Sequence, residues 1–238
     1  MKDGTYRFIA DMIDAFLWGG ELVGEENLPE EGPAVFVANH LGSTGPIGVS
    51  CSMPLRLYPW IISDTIDPER APDYLRVDFV EKELKLSMPL SLWLAQAICW
   101  LSVPLLRSIG CVAVYSDPEE LQEKTFTQSV SLLKEGKYLL IFPEDPQQPI
   151  DQSTKMTPFK KGFARLGEYY YQETGERLDF YPLAVYERGK VMVGKPVTYN
   201  PINAPANERL RLKSLLEEHI RKMYMGMSTK DFMVPLPN

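Results

Sequence analysis

Ala34-Val-Phe-Val-Ala-Asn-His-Leu-Gly-Ser-Thr-Gly-Pro46 is the stretch around which the 238-residue chain is organised. Its first five residues are β-branched, aromatic or small, with no charge among them, and read as a buried strand. The run breaks at Asn39-His40, and Gly42, Gly45 and Pro46 mark a tight turn. Pro46 suits the first residue of a helix, with Thr44 or Gly45 as its cap. His40 is therefore expected where a strand ends and a helix begins. Free N–H groups and the positive end of the helix dipole gather at such a place, and those surroundings suit a neutral general base. The plainer reading is a histidine that satisfies a turn hydrogen bond. This stretch alone leaves the two open.

Outside it, the composition is that of a folded globular protein, 45% apolar and 24% charged, with enough chain to bury a real core. A formal charge of −7 without a basic tract argues against nucleic acid as a partner, since such binding rests on phosphate neutralisation. Cys51, Cys99 and Cys111 are odd in number, lie among apolar or small residues and lack ligand spacing. They are expected to be reduced core residues of an intracellular protein, and no metal site is expected. The N-terminus carries acidic residues within its apolar part, unlike a secretory signal.

Residues 5–18 fit an amphipathic helix. Tyr6, Ile9, Ile13, Phe16 and Leu17 fall on one face, and Arg7, Asp11 and Asp14 towards the other. Further strands are expected at 55–62, 111–115, 138–142, 179–186 and 191–198, the last two hinged at Glu187-Arg-Gly-Lys190. Helices are expected over 118–135, closed by Gly136, over 159–173 and over 207–225. Asp64–Asp73 and 146–158 read as loops. His219, on the last helix, shares a face with Leu212, Leu215, Leu216 and Met223 and reads as a packing residue. Strand–helix alternation specifies an α/β fold, a largely parallel central sheet flanked by helices, in one domain over 1–238. Ligands collect beyond the C-terminal ends of such strands, and His40 and Glu144 both sit there.

Leu86–Leu106 has no charged residue over 21 positions, long enough to cross a bilayer. Ser87, Ser91, Gln96 and Ser102 dilute it, and Pro89 and Pro104 interrupt its ends. Leu90, Trp93, Leu94, Ala97, Ile98 and Leu101 line one face, which favours a core helix or one resting on a membrane. Together with residues 5–18, and with Trp18, Trp93 and Trp100, it is expected to form an apolar surface that rests on a bilayer without crossing it.

Five pieces in order resemble the PlsC-type glycerolipid acyltransferases, the lysophosphatidic acid acyltransferases and their relatives. They are Val23-Gly-Glu-Glu-Asn-Leu-Pro29, Val35-Phe-Val-Ala-Asn-His40, Ile141-Phe-Pro-Glu144, Pro158-Phe-Lys-Lys-Gly162 and Gly194-Lys-Pro196. The resemblance implies a glycerolipid-acyltransferase-like fold with an N-terminal amphipathic helix. It also implies transfer of a fatty acyl group from acyl-CoA or acyl carrier protein, as co-substrate and with no bound cofactor. The acceptor would be the hydroxyl of a lysophospholipid or other lipid-like alcohol, at the cytoplasmic face of the membrane. His40 would be the general base and Glu144 would lie in the site. Asn39, Gly42, Ser43, Asp145, Lys160 and Lys161 are the expected substrate contacts.

The chain departs from the family pattern in three places. The family's Asp, five positions after the His and orienting it, is Gly45 here. A family Arg near the end of the third strand corresponds to about Ser116. The Gly and basic residue after Phe-Pro-Glu are replaced by Asp145-Pro146, which points away from a compact phosphate monoester as acceptor. Removing the orienting carboxylate from a serine-protease triad lowers turnover by about 10⁴. Another carboxylate is therefore expected to serve His40: Glu144 first, then Asp145, with Asp151 on the same loop. Glu144→Gln should then cost activity with little change in stability. The alternative is a catalytically inactive lipid- or acyl-thioester-binding protein of the same fold. Lys160 and Lys161 are expected at a helix N-terminus, where each is unfavourable by some tenths of a kcal/mol against the dipole and a bound anion would offset this. A solvated basic patch is the plainer reading.

Overall fold

Every residue of Ala34–Ala38 is fully inaccessible to solvent, as a strand with neighbours on both edges and cover on both faces must be. This computed structural model describes residues 3–13, 20–42, 45–82, 84–186 and 189–231. Phe16, Leu17, Trp18, Ser43, Thr44, Glu187 and Arg188 lie outside the described residues. In chain order the elements begin with α1 (Asp3–Ile13), β1 (Glu21–Val23), β2 (Ala34–Ala38), α2 (Gly45–Ser52) and β3 (Leu57–Ile62). Next come α3 (Ser63–Ile66), α4 (Ala71–Leu75), α5 (Leu90–Ile109), β4 (Val112–Val114), α6 (Pro118–Glu120) and α7 (Thr127–Lys134). The chain ends with β5 (Tyr138–Ile141), α8 (Arg165–Thr174), β6 (Asp179–Tyr186), β7 (Lys190–Val193), β8 (Val197–Thr198) and α9 (Pro205–Asp231). Although the sequence shows no domain boundary, these elements gather into two compact units. One is residues 58–128; the other is the chain on either side of it.

In the larger unit β2 is the hub. It pairs in parallel with β5 on one edge, Val37 opposite Ile141, and with β6 on the other, Val37 opposite Pro182. β6 continues antiparallel to β7 and β8, and β7 parallel to β1. The α/β class holds, with a mixed, mostly parallel sheet. β1 is an edge strand where the sequence reading has none, and Gly194 and Pro196 split the expected strand 191–198 into β7 and β8. On one face Phe36 packs against Tyr181, ring centroids 5.3 Å apart, within a cluster that includes Val49, Met53 and Leu57. α9 lies against β6, burying Leu212, Leu216 and Ile220. That close approach accounts for Gly194. A Cβ there would come within 2.9 Å of both Met223 Sδ and Pro182 Cγ.

α1 buries Tyr6, whose hydroxyl donates to Ser50 O at 3.4 Å, while Arg7 donates to Met53 O and Phe8 and Met12 stay exposed. α1 therefore packs through one face and leaves apolar side chains outside.

In the smaller unit β3 and β4 pair in parallel, Trp60 opposite Val112, and Trp60 meets Phe126 edge to face at 5.6 Å. Asp64–Asp73, which reads as a loop, is largely helical. Asp67 Oδ1 accepts from Glu69 N–H at 2.9 Å, Pro72 sits in the first turn of α4, and Arg70 pairs with Asp64 at 3.2 Å. α5 runs three residues past its expected end, to Gly110 in the left-handed conformation, φ +87°. Its buried positions, Ser91, Ala95, Cys99 and Val103, recur every fourth residue and are small, whereas Trp93 (66%) and Trp100 (82%) face solvent. The large apolar face is the outer one. All three cysteines are buried, and burial pushes the Cys111 thiol up to about 11, which suits packing and not nucleophilic chemistry.

Glu208, wholly buried at the start of α9, knits the turn after β8. It accepts from Asn200 N–H at 2.8 Å, Asn203 Nδ2 at 2.6 Å and Arg211 Nε at 2.7 Å. Burial alone would raise its carboxyl, but the hydrogen bonds from Arg211, Asn203 and Asn200 outweigh it and hold the group below the usual carboxylate value. A depressed folded value contributes stability above the unfolded pKa, about 4.3, and loses it as pH falls through the folded one. Glu208→Gln should therefore lower the urea midpoint at pH 7, and the gap to the parent should close as the medium is taken below pH 4.

Candidate active site

The end of β2 is held from both sides. Asn39 is fully buried; its Nδ2 donates to Val185 O at 2.9 Å and its Oδ1 accepts from Val185 N–H at 2.7 Å. The side-chain amide thus imitates one more residue of the β2–β6 ladder, beyond Ala38 opposite Leu183. Expected as a substrate contact, Asn39 is instead a structural clamp with no exposed surface. On the other edge the β2–β5 ladder runs out because Pro143 has no N–H to give. Glu144 takes over with its side chain. Its Oε1 accepts from the His40 backbone N–H at 2.6 Å, and its Oε2 accepts from Thr157 N–H at 2.8 Å.

His40 itself is exposed just past this anchor, its ring edge-on to Phe142 with centroids 5.3 Å apart. Among the described residues no carboxylate reaches the imidazole. Glu144 is spent on two backbone N–H groups. Asp145 Oδ1 accepts from Gln147 N–H at 3.2 Å and lies 3.4 Å from Lys160 Nζ. Asp151 accepts from the Ser153 hydroxyl at 2.6 Å and N–H at 2.8 Å, which hold its carboxyl below the usual range, and it pairs with Arg221 at 3.1 Å. The rewired dyad expected from the sequence is therefore absent: Glu144 acts on the His40 main chain, not on its ring.

Gly45 opens α2 and is buried; a Cβ there would lie 3.2 Å from both His40 C and His40 O. Position 45, where the family resemblance leads one to expect an Asp, is thus next to His40. Gly42, exposed at φ +60°, supplies a left-handed turn residue. Ser43 lies outside the described residues.

Lys160 and Lys161 precede their helix instead of opening it. Gly162–Ala164 forms a tight turn and α8 starts at Arg165. Lys160 N–H donates to Pro143 O at 2.8 Å and Asp145 N–H to Pro158 O at 2.9 Å, so the 143–145 and 158–160 segments lie side by side. Asp145 thereby provides Lys160 with an anion from within the chain; Lys161 is exposed. Thr157, Val185, Glu217 and Arg221 complete this architecture and were not legible as site residues. The only sequence signal is the Glu217–Arg221 spacing of four on a helix.

Residues 81–184 match the family model "Acyltransferase". That segment contains Glu144, Asp145, Lys160 and Lys161, and begins after His40. Among solved structures, the chain is similar to the 1-acyl-sn-glycerophosphate (LPA) acyltransferase PlsC of Thermotoga maritima, with a TM-score of 0.54 and 14% identity, covering 100% of this chain and 86% of that one. The likeness to PlsC is one of fold. A comparison with curated proteins finds no match.

The two oxygens of Glu144 each face an N–H donor. A glutamine there would turn its –NH₂ against one of them and remove a charge-assisted hydrogen bond at the end of β2. Glu144→Gln should therefore lower the urea midpoint measurably at pH 7, whether or not activity is assayed.

Proposed function

We propose that the chain is an O-acyltransferase that moves a fatty acyl group from an acyl thioester, acyl-CoA or acyl carrier protein, to the hydroxyl of a lysophospholipid or similar lipid alcohol. His40 takes the hydroxyl proton as the oxygen attacks the thioester carbonyl carbon. The tetrahedral intermediate then expels the thiolate, which recovers a proton from the imidazolium, leaving ester and free thiol. The observation that carries this reading is the exposed imidazole on a backbone fixed from both edges of the sheet. Asp145, paired with Lys160, leaves the mouth of the site less basic than a phosphate monoester would favour.

Release of free CoA from a panel of acyl-CoAs, offered with lysophospholipids, glycerol phosphate and glycolipids, tests this. Acceptor-dependent release is expected, and His40→Ala should lower it by about 10²–10⁴, the usual range for a general base. Activity that survives in His40→Ala would overturn the mechanism. A second reading, a catalytically silent binder of lipid or acyl thioester, draws on the lack of a carboxylate on the imidazole. It predicts acyl-CoA binding without CoA release. Gly45→Asp separates the two. It should create turnover in a silent protein, but in an active one the 3.2 Å approach to His40 would only crowd the turn.

On this reading the protein works at the cytoplasmic face of a membrane, and α5 is the element suited to it. By length and composition α5 is able to cross a membrane. Its division into a buried small-residue face and an exposed Trp/Leu face fits a helix lying on the surface instead. Burying a large apolar side chain contributes about 1.5–3 kcal/mol. The double change Trp93→Glu and Trp100→Glu should therefore weaken co-flotation with phospholipid vesicles by about 10²-fold or more. Unchanged flotation would remove α5 from the membrane surface.

A further inference from the structure

The loop from Pro146 to Pro158 has neither helix nor strand, yet it carries Thr157, one of the two residues that hold the Glu144 carboxylate. It closes on itself where Lys155 N–H donates to Asp151 O at 2.8 Å and Asp151 N–H to Met156 O at 2.9 Å, with Lys155 in the left-handed conformation at φ +57°. α9 grips the loop from outside. Arg221 Nη1 donates to Thr154 Oγ1 at 2.6 Å and to Asp151 Oδ2 at 3.1 Å, and its Nη2 donates to Thr157 O at 3.3 Å. The guanidinium is itself fixed by Glu217 Oε1, 3.2 Å from Nε and 3.1 Å from Nη2. Glu217 in turn accepts from Phe159 N–H at 3.1 Å and pairs with Lys213 at 2.7 Å. Arg221 and Glu217 are both largely buried, at 19% and 14% side-chain exposure. Burial would raise the Glu217 carboxyl, but hydrogen bonds from Lys213, Phe159 and Arg221 prevail and keep it charged.

These contacts form one continuous path. Arg221 seats Thr157, Thr157 seats Glu144, and Glu144 holds the backbone N–H of His40. We propose that Arg221 is a positioning residue for His40, setting from the C-terminal helix where the imidazole stands. The planar fork of arginine reaches three loop residues and its own carboxylate partner at once, a task a lysine's single ammonium cannot reproduce. A displacement of about 1 Å at a catalytic group costs about 10²-fold in rate, so a brace of this kind governs turnover without touching substrate. The inference deepens the acyl-transfer reading for its kinetic arm only.

Its test is the proton resonance of the His40 backbone amide, which the 2.6 Å bond to a carboxylate should push well downfield. Arg221→Met should move it back towards ordinary amide values, Arg221→Lys less so. In a Glu144→Gln background, Arg221→Met should add little further shift. In the parent background it should lower the rate of CoA release about 10- to 100-fold with KM changed less than twofold. If Arg221→Met does not fold, Asp151→Asn and Thr154→Val each remove one arm of the grip and should give smaller shifts in the same direction. A His40 amide unmoved in these variants while Thr157 shifts, or full additivity with Glu144→Gln, would overturn the proposal. If the parent never releases CoA, the transferase reading falls, and the amide shifts still decide the role of Arg221.

Discussion

A carboxylate with an N–H donor on each oxygen sits where two parallel strands stop being able to pair. β2 and β5 lose their ladder at Pro143, and Glu144 restores it by spanning from His40 N–H to Thr157 N–H. Hydrogen bonds that involve a charged acceptor are roughly twice as strong as neutral ones. Here two such bonds secure the end of the central strand, the start of the following turn and an otherwise irregular loop. Asn39 makes the matching connection to β6 through two neutral bonds. Between them the sheet delivers His40 to the surface on a backbone that has little freedom, while the side chain itself is left in solvent.

Much of this was legible in the sequence because local rules and tertiary demands agree. Ala34–Ala38 is apolar throughout and is buried throughout. Gly136 closes its helix where glycine supplies the left-handed residue. The failures have a common physical source: the side chains involved are satisfied by partners distant in sequence. Nothing near Asn39 announces Val185, 146 positions on, and nothing near Thr157 announces Arg221. α5 was harder for a different reason. Periodicity locates its apolar face, but the small residues Ser91, Ala95, Cys99 and Val103 allow close packing on the opposite side, so the larger hydrophobes were free to point outward.

The smaller unit shows the same logic in its polar segment. Asp64, Asp67 and Arg70 looked like solvated loop charge, yet they organise two short helices. Arg70 on Asp64, and the Arg107 Nε donating to Ile66 O at 2.9 Å, bind the segment to the C-terminal end of α5. Arg107 also stands in the last turn of α5, where a cation is favourable against the helix dipole. Charge here is local scaffolding, exposed and individually weak, and effective because several short elements share it.

The two duties of Glu144 bear on what the retained motif means. Catalysis is one reason for a carboxylate at position 144. This glutamate has another reason: without it two backbone N–H groups next to the central strand lose a charged acceptor. Its presence is therefore expected in an active enzyme and in a silent binder alike, and so is that of Lys160, which pairs with Asp145 where 143–145 and 158–160 run together. The residue without such a structural reason is His40, whose imidazole is exposed and makes no hydrogen bond among the described residues. Its edge-on contact with Phe142 is the ring contact the structure gives it, and that is no demand for an imidazole. The weight of the catalytic reading therefore rests on His40 alone.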